Sequence, residues 1–330
     1  MPRSLDHNGR TPARPHDGPD RPTDLPARTW FDATKRAVRE FGADALPDWA
    51  AALTYYGILS IFPALLVLMA AFGLLGESTT DKVQEQVDEL APGQVGDFLN
   101  QTINQVRENA GAAGFVAIVG LLVAFWSASG YIGAFMRAAN AIYDVPEGRP
   151  VWKTIPTRLA LTAGVGVLLI LSSLIVVFTG PLAEQAGALI GVGPAAVTVW
   201  SIAKWPVLLI LVSLMFSLLY WASPNARQGG WRWITVGGLV AVVAWVIISA
   251  LFAIYLANFA SYGKTYGAIA GVIVFLVWLW LTNLAILLGA EVNAELERAR
   301  AISAGHPVDD EPFLELRDAR KVKDGTGGLR

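Results

Sequence analysis

Six apolar runs divide this chain, approximately Ala51 to Gly76, Ala113 to Met136, Arg158 to Gly180, Ala195 to Trp221, Trp233 to Leu256 and Tyr266 to Ala290. A hydrocarbon core about 30 Å thick is crossed by roughly 20 residues of α-helix, and a backbone in lipid must satisfy its own hydrogen bonds. The runs therefore predict an all-α fold, a polytopic membrane bundle of six transmembrane helices. Composition agrees: only 16% of the 330 residues are charged, against roughly a quarter in soluble domains, and the mean hydropathy is +0.47. The absence of cysteine excludes a disulfide scaffold, and a net charge of -2 argues against nucleic acid as a partner.

Lysine and arginine set the expected orientation, because positively charged connections stay in the cytoplasm. Of 25 such residues, 21 fall in the two tails and in the second-to-third and fourth-to-fifth connections; 3 fall on the opposite side and Lys204 lies within a run. Both termini are thus expected in the cytoplasm of a plasma membrane. Trp49, Trp152, Trp221, Trp231 and Trp233 fall near the inner interface, and Trp200 and Trp205 near the outer one. The deeper Trp126, Trp245, Trp278 and Trp280 read as helix-packing residues.

The chain divides into three parts. Residues 1–28 hold six prolines and mixed charges without an apolar core, which predicts a disordered cytoplasmic head. The transmembrane domain covers 29–302. It opens with an interfacial helix over 29–48, whose apolar residues Trp30, Phe31, Ala37, Val38 and Phe41 recur at helical spacing, and it includes an acidic outer loop over 77–112 with two short amphipathic helices. Residues 303–330 are expected to form a disordered cytoplasmic tail.

Polar side chains are costly in lipid and normally face a bundle interior or a watery cavity. An inner cavity is predicted from Tyr55, Tyr56 and Ser60 of the first span, Ser127, Ser129, Arg137 and Asn140 of the second, Tyr220 of the fourth, and Asn283 and Glu291 of the sixth. An outer cluster comprises Lys204, Tyr255, Asn258, Tyr262, Lys264 and Tyr266. Arg137 and Glu291 stand at the same boundary on helices of the same direction, so a salt bridge between them is geometrically allowed; Arg158 marks a third boundary. Gly267 and Gly271, like Ala160 and Gly164, are spaced for close helix packing.

Catalytic constellations are missing. His7, His16 and His306 all lie in the tails, so no metal site is expected, and no Gly-rich, lysine-containing nucleotide loop is present. Neither a catalytic residue nor a cofactor is expected, and the chain reads as a non-enzyme.

Several stretches carry a family resemblance when taken in order: Ala51-Ala52-Leu53-Thr54-Tyr55-Tyr56 with Ser60-Ile61-Phe62-Pro63, Trp126-Ser127 with Gly130, and Ala138-Ala139-Asn140-Ala141-Ile142-Tyr143. Tyr220 with Pro224-Asn225, Gly237-Gly238, Tyr262 with Tyr266-Gly267, Trp278-Leu279-Trp280 and Leu288-Gly289-Ala290-Glu291-Val292-Asn293-Ala294 follow. Over roughly residues 30 to 300 the chain resembles the YihY/BrkB family of bacterial inner-membrane proteins. The resemblance implies a six-span bundle in the bacterial plasma membrane, an association with serum resistance and virulence, and the old label ribonuclease BN. It brings no substrate or catalytic residue. A nuclease would require a basic phosphate-binding surface and converging metal ligands, which the spans lack.

The expected function is transporter-like or lipid-handling, with membrane lipids as partners and a lipid or small molecule as substrate. The alternative is a membrane scaffold that recruits partners through its tails. No motif in the chain specifies an oligomeric state.

Overall fold

The computed structural model describes residues 18–74, 104, 110–177, 193–258, 263–308 and 311–325. Regular structure among them is helical: α1 (Ala27–Ala43), α2 (Leu46–Leu74), α3 (Ala110–Ile142), α4 (Val151–Val177), α5 (Pro194–Ala222), α6 (Trp231–Asn258), α7 (Gly263–Ser303) and the short α8 (Arg320–Gly325). Each of α3 to α7 is long and apolar enough to cross a membrane. The 29-residue α2 follows the first apolar run. The expected outer loop, 77–112, lies outside the described residues apart from Asn104 and the start of α3.

The long helices close into a ring. Each of α2 to α7 packs on the next, and α7 returns to α2. Glycine sets the α6–α7 crossing: a side chain on Gly237 would overlap the Gly289 carbonyl oxygen, and one on Gly289 would overlap that of Gly237. Two backbones approach this closely only where neither carries a Cβ. Asn293 of α7 then accepts the Gly237 N–H at 2.8 Å and donates to the Ile234 carbonyl at 3.1 Å. Gly164 plays a milder part on α4, where a Cβ would stand 3.0 Å from Leu218 of α5.

The core gathers toward the end of the ring that carries α1. Leu53, Phe135, Tyr220, Ile234 and Leu287 are buried there, with the Phe135 and Tyr220 rings stacked at 6.2 Å. Farther along the ring, Leu169, Ile210 and Leu251 are exposed, as suits helices whose solvent is hydrocarbon.

Every ion pair among the described residues lies at this same end, hereafter the charged end. The 41 residues of α7 extend about 60 Å, roughly twice the hydrocarbon thickness, so its last turns project past the ring. α1 packs on that projection through buried Ala33 and Ala37, leaving Phe31 and Val38 exposed. The single apolar stripe expected of an interfacial helix is thus split between two faces. Between α1 and α2 the chain reverses at Ala45, whose φ of 50° is left-handed.

Both tails differ from the expected disorder where they are described. Leu25 is buried against α7, Trp30 Nε1 donates to the Pro22 carbonyl at 3.1 Å, and Arg300 Nε donates to the Pro19 carbonyl at 3.2 Å. The C-terminal segment also docks: Phe313 and Leu314 are buried, and an antiparallel bridge joins Leu316 to Ala226. Its ladder is made by Arg227 N–H to the Glu315 carbonyl at 2.8 Å and Arg317 N–H to the Asn225 carbonyl at 2.9 Å. These contacts form because Phe313, Leu314 and Leu316 bring apolar area to a polar tail, and because the α5–α6 connection leaves backbone groups unpaired.

Candidate functional site

Two of the inner polar residues expected to line a cavity, Asn283 and Tyr220, pair within the ring. Tyr131 of α3 donates its hydroxyl to Asn283 Oδ1 at 2.9 Å, and Asn283 Nδ2 donates to Thr54 Oγ1 at 3.1 Å. Thr54 donates in turn to the Ala50 carbonyl at 2.8 Å. Three helices, α2, α3 and α7, are thereby joined by one chain of hydrogen bonds. Tyr220 donates to the Ile286 carbonyl at 2.6 Å, tying α5 to α7. Ser60 and Ser129 turn back on the Tyr56 and Trp126 carbonyls of their own helices, and Ser127 is half-buried. Thr54 and Tyr131 are absent from the sequence-derived set, because a hydroxyl within an apolar run carries no sign of its partner.

Asn140 belongs to a separate node at the charged end. Its Nδ2 donates to Glu147 at 3.0 Å while its Oδ1 accepts the Asn225 N–H at 2.7 Å. Arg149 grips Glu147 with Nε at 2.8 Å and Nη2 at 2.7 Å, then donates to the Ser223 carbonyl. Arg149 and Asn140 hold the Glu147 carboxyl below its usual range against the opposing effect of burial.

Glu291 departs from the expected salt bridge. The acidic side chains Asp44 and Glu295, rather than Arg137, are the charged groups that act on its carboxyl. Glu291 is 1% exposed, and its Oε2 has no partner. At Asp44 lies an open cavity of about 520 Å³, lined also by Asn140, Asp144 and Glu311. Burial, together with Asp44 and Glu311, pushes the Asp144 carboxyl up to about 6. No group of side chains among the described residues is arranged to hold a metal ion.

Arg137 instead turns outward. Its Nη1 donates to the Gly133 carbonyl at 3.1 Å, and its guanidinium lies 6.0 Å from the Tyr56 ring. Tyr55 is exposed beside it on α2. Trp126, read as a packing residue, is 66% exposed and lies under the Arg158 guanidinium at 5.5 Å. Trp245 and Trp280 do pack, donating to Thr282 at 3.2 Å and to the Pro47 carbonyl at 3.1 Å. Trp233 is fully buried rather than interfacial, with Arg300 over its ring at 5.4 Å.

Of the outer cluster, Lys204 on α5 lies 5.4 Å from the Trp205 ring, and Tyr255 on α6 stacks on Phe252 at 6.3 Å. Asn258, Lys264 and Tyr266 occupy the facing ends of α6 and α7, where their side chains lie outside the described residues, as does Tyr262.

The family described as virulence factor BrkB matches residues 37–311, most of the chain and all of α2 to α7. The chain belongs to the BrkB family. Among its relatives, a Bacillus subtilis protein named ribonuclease-like protein YfkH is 32% identical over 262 residues, covering 78% of this chain and 92% of YfkH. The UPF0761 membrane protein MS0032 of Mannheimia succiniciproducens is 30% identical, covering 80% of this chain and 89% of its own. The UPF0761 membrane protein RSc1559 of Ralstonia nicotianae is also 30% identical, but this BrkB-family chain spans only 57% of its length. No solved structure matches the chain. Family membership and the apolar helices together make this a membrane protein.

Proposed function

We propose that this BrkB-family chain is a lipid-handling protein of the bacterial plasma membrane. In this reading α2 joins α3 to α7 as a sixth membrane-crossing helix, the charged end faces the cytoplasm, both termini lie there, and no catalytic chemistry is performed. The observation that carries the reading is the division of polar groups. Thr54, Tyr131, Tyr220 and Asn283 satisfy one another or backbone carbonyls inside the ring, whereas Arg137, Tyr55 and Trp126 look outward. A solute carrier needs polar groups turned to an internal path; a protein acting on lipids needs them on its flank. The scaffold alternative is less favoured, because residues 313–318 are already engaged with the chain's own α5–α6 connection.

The test is reconstitution into sealed vesicles carrying a headgroup-labelled phospholipid and an entrapped dye. Faster transfer of label between leaflets, with the dye retained, is the expected result. Label transfer equal to that of empty vesicles would remove the lipid-handling reading, and dye loss would return a solute pathway. The absence of cysteine gives a clean background for topology: a cysteine at Gly193 should react with an impermeant reagent from outside the cell, and one at Ser303 only after lysis.

A further inference from the structure

Arg137 and Arg158 converge on one glycine. Were Gly133 to carry a Cβ, it would stand 3.1 Å from Arg158 Cδ, 3.4 Å from Arg158 Nη1 and 3.9 Å from Arg137 Nη1. With no side chain at Gly133, the α4 arginine lies close against α3. Two guanidiniums in so small a space repel each other, and among the described residues neither has an acidic partner. Arg137 satisfies one N–H on the Gly133 carbonyl, while Arg158 Nε is buried with no acceptor.

The surroundings specify which kind of anion the two charges can take. Trp126 lies beneath Arg158 and Tyr56 beneath Arg137, and exposed Leu122, Tyr55 and Ile155 flank them, so the pair opens onto the outer surface of the ring. Arg137 lies about 8 Å along its helix from the charged end of α3, and Arg158 about 10 Å along its helix from that of α4, at 1.5 Å per residue. That is near the depth of lipid headgroups. Cations at this depth need an anion or water, and the planar forks of two arginines suit the oxygens of a phosphate.

We propose that Arg137 and Arg158 form a binding site for the phosphate of an anionic phospholipid from the leaflet on the charged side. Trp126 and Tyr56 back the guanidiniums, and the exposed apolar faces of α3 and α4 receive the acyl chains. The site rests on the lipid-handling reading and names the lipid class.

Binding, not movement, tests it. The full chain is released from mixed micelles of phosphatidylcholine and phosphatidylglycerol, and retained lipid is identified by native mass spectrometry. The expected result is a preference for phosphatidylglycerol that falls by about tenfold or more, about 1.4 kcal/mol per decade, in the Arg137→Gln/Arg158→Gln variant. Gly133→Val, which fills the shared space and keeps both charges, should lower it as well. An Arg137→Lys/Arg158→Lys variant, with charge kept and forks lost, should be intermediate; it also serves if the glutamine variant does not fold. Equal retention by wild type and the variants would overturn the site. So would displacement of phosphatidylglycerol by inorganic phosphate, which would mark a soluble-anion site. Headgroup preference without lipid movement in vesicles would uphold the site and remove the functional reading alone; movement without preference would do the reverse.

Discussion

Asn140 on α3 accepts the backbone N–H of Asn225 at 2.7 Å, and from that contact the charged end is assembled. The Asn225 side chain donates to the Pro146 and Asp318 carbonyls at 3.1 and 2.8 Å and accepts the Asp318 N–H at 3.1 Å. One side chain thus joins the connection after α3, the connection after α5 and the C-terminal segment, with both amide hydrogens and the oxygen engaged. Asn225→Ala should leave a buried N–H and two carbonyls unpaired, costing about 2–4 kcal/mol. A lower melting temperature in detergent and faster proteolysis after residue 311 would register the loss; unchanged proteolysis would mean that the C-terminal segment docks without it.

The α6–α7 crossing tolerates no side chain at Gly237 or Gly289. Gly289→Leu should separate the helices and break the Asn293 bonds to Gly237 and Ile234, destabilising the protein by about 3 kcal/mol or more. Gly42, with open space around its Cβ position, is the control: Gly42→Ala should be neutral or slightly stabilising. Equal effects at the two positions would contradict the crossing geometry.

Thr54 and Asn283 are proposed as helix glue rather than substrate ligands. A double-mutant cycle with Thr54→Val and Asn283→Leu should give a coupling of about 0.5–1.5 kcal/mol in stability. The double variant should retain lipid movement in vesicles. Loss of movement with stability intact would place these residues on a substrate path.

Two aspartates predict opposite responses to pH. The Asp144 carboxyl is raised from 3.8 to about 6, so the folded state holds its proton more tightly than the unfolded chain. Its contribution is greatest at low pH and is lost as pH rises from about 4 through 6. The groups acting on it are Asp44, Glu311 and Glu40, which push it up, and Arg298, which opposes them. Asp318 is the reverse case: Arg320 and Lys153 hold its carboxyl well below 3.8, a contribution present at neutral pH and lost only in strong acid. Asp144→Asn, which also suits the left-handed backbone at that position, φ 50°, should flatten the fall in melting temperature between about pH 4 and 7. A slope unchanged by this substitution would shift the cause to other groups.

Much of the fold is legible in the chain because hydropathy is a local property. Wherever they are described, the runs of the second to sixth spans fall within α3 to α7, since any segment of that length and apolarity is driven to the same helix whatever surrounds it. Pairing is less legible. Glu291 and Arg137 look like partners when only depth and direction are known, yet rotation about each helix axis turns one toward Asp44 and the other toward Tyr56. Trp126 and Trp280 lie at similar depth by sequence, but one faces outward and the other donates to Pro47. The docking of Phe313 and Leu314 is hidden for a related reason: two apolar residues in a polar tail identify no partner until the α5–α6 connection meets them.

The sequence by itself determined a helical membrane protein, its family, the excess of positive charge at one end, and the near exclusion of charge from the apolar runs. The tertiary structure alone decided which polar groups satisfy one another, why Gly237 and Gly289 lack side chains, and that Arg158 shares the space beside Gly133 with Arg137 rather than pairing with an acid. The physical reason is the range of the forces. Transfer from water to lipid acts on each segment alone, whereas hydrogen bonds and ion pairs act over about 3–4 Å between residues the chain brings together only once it has folded.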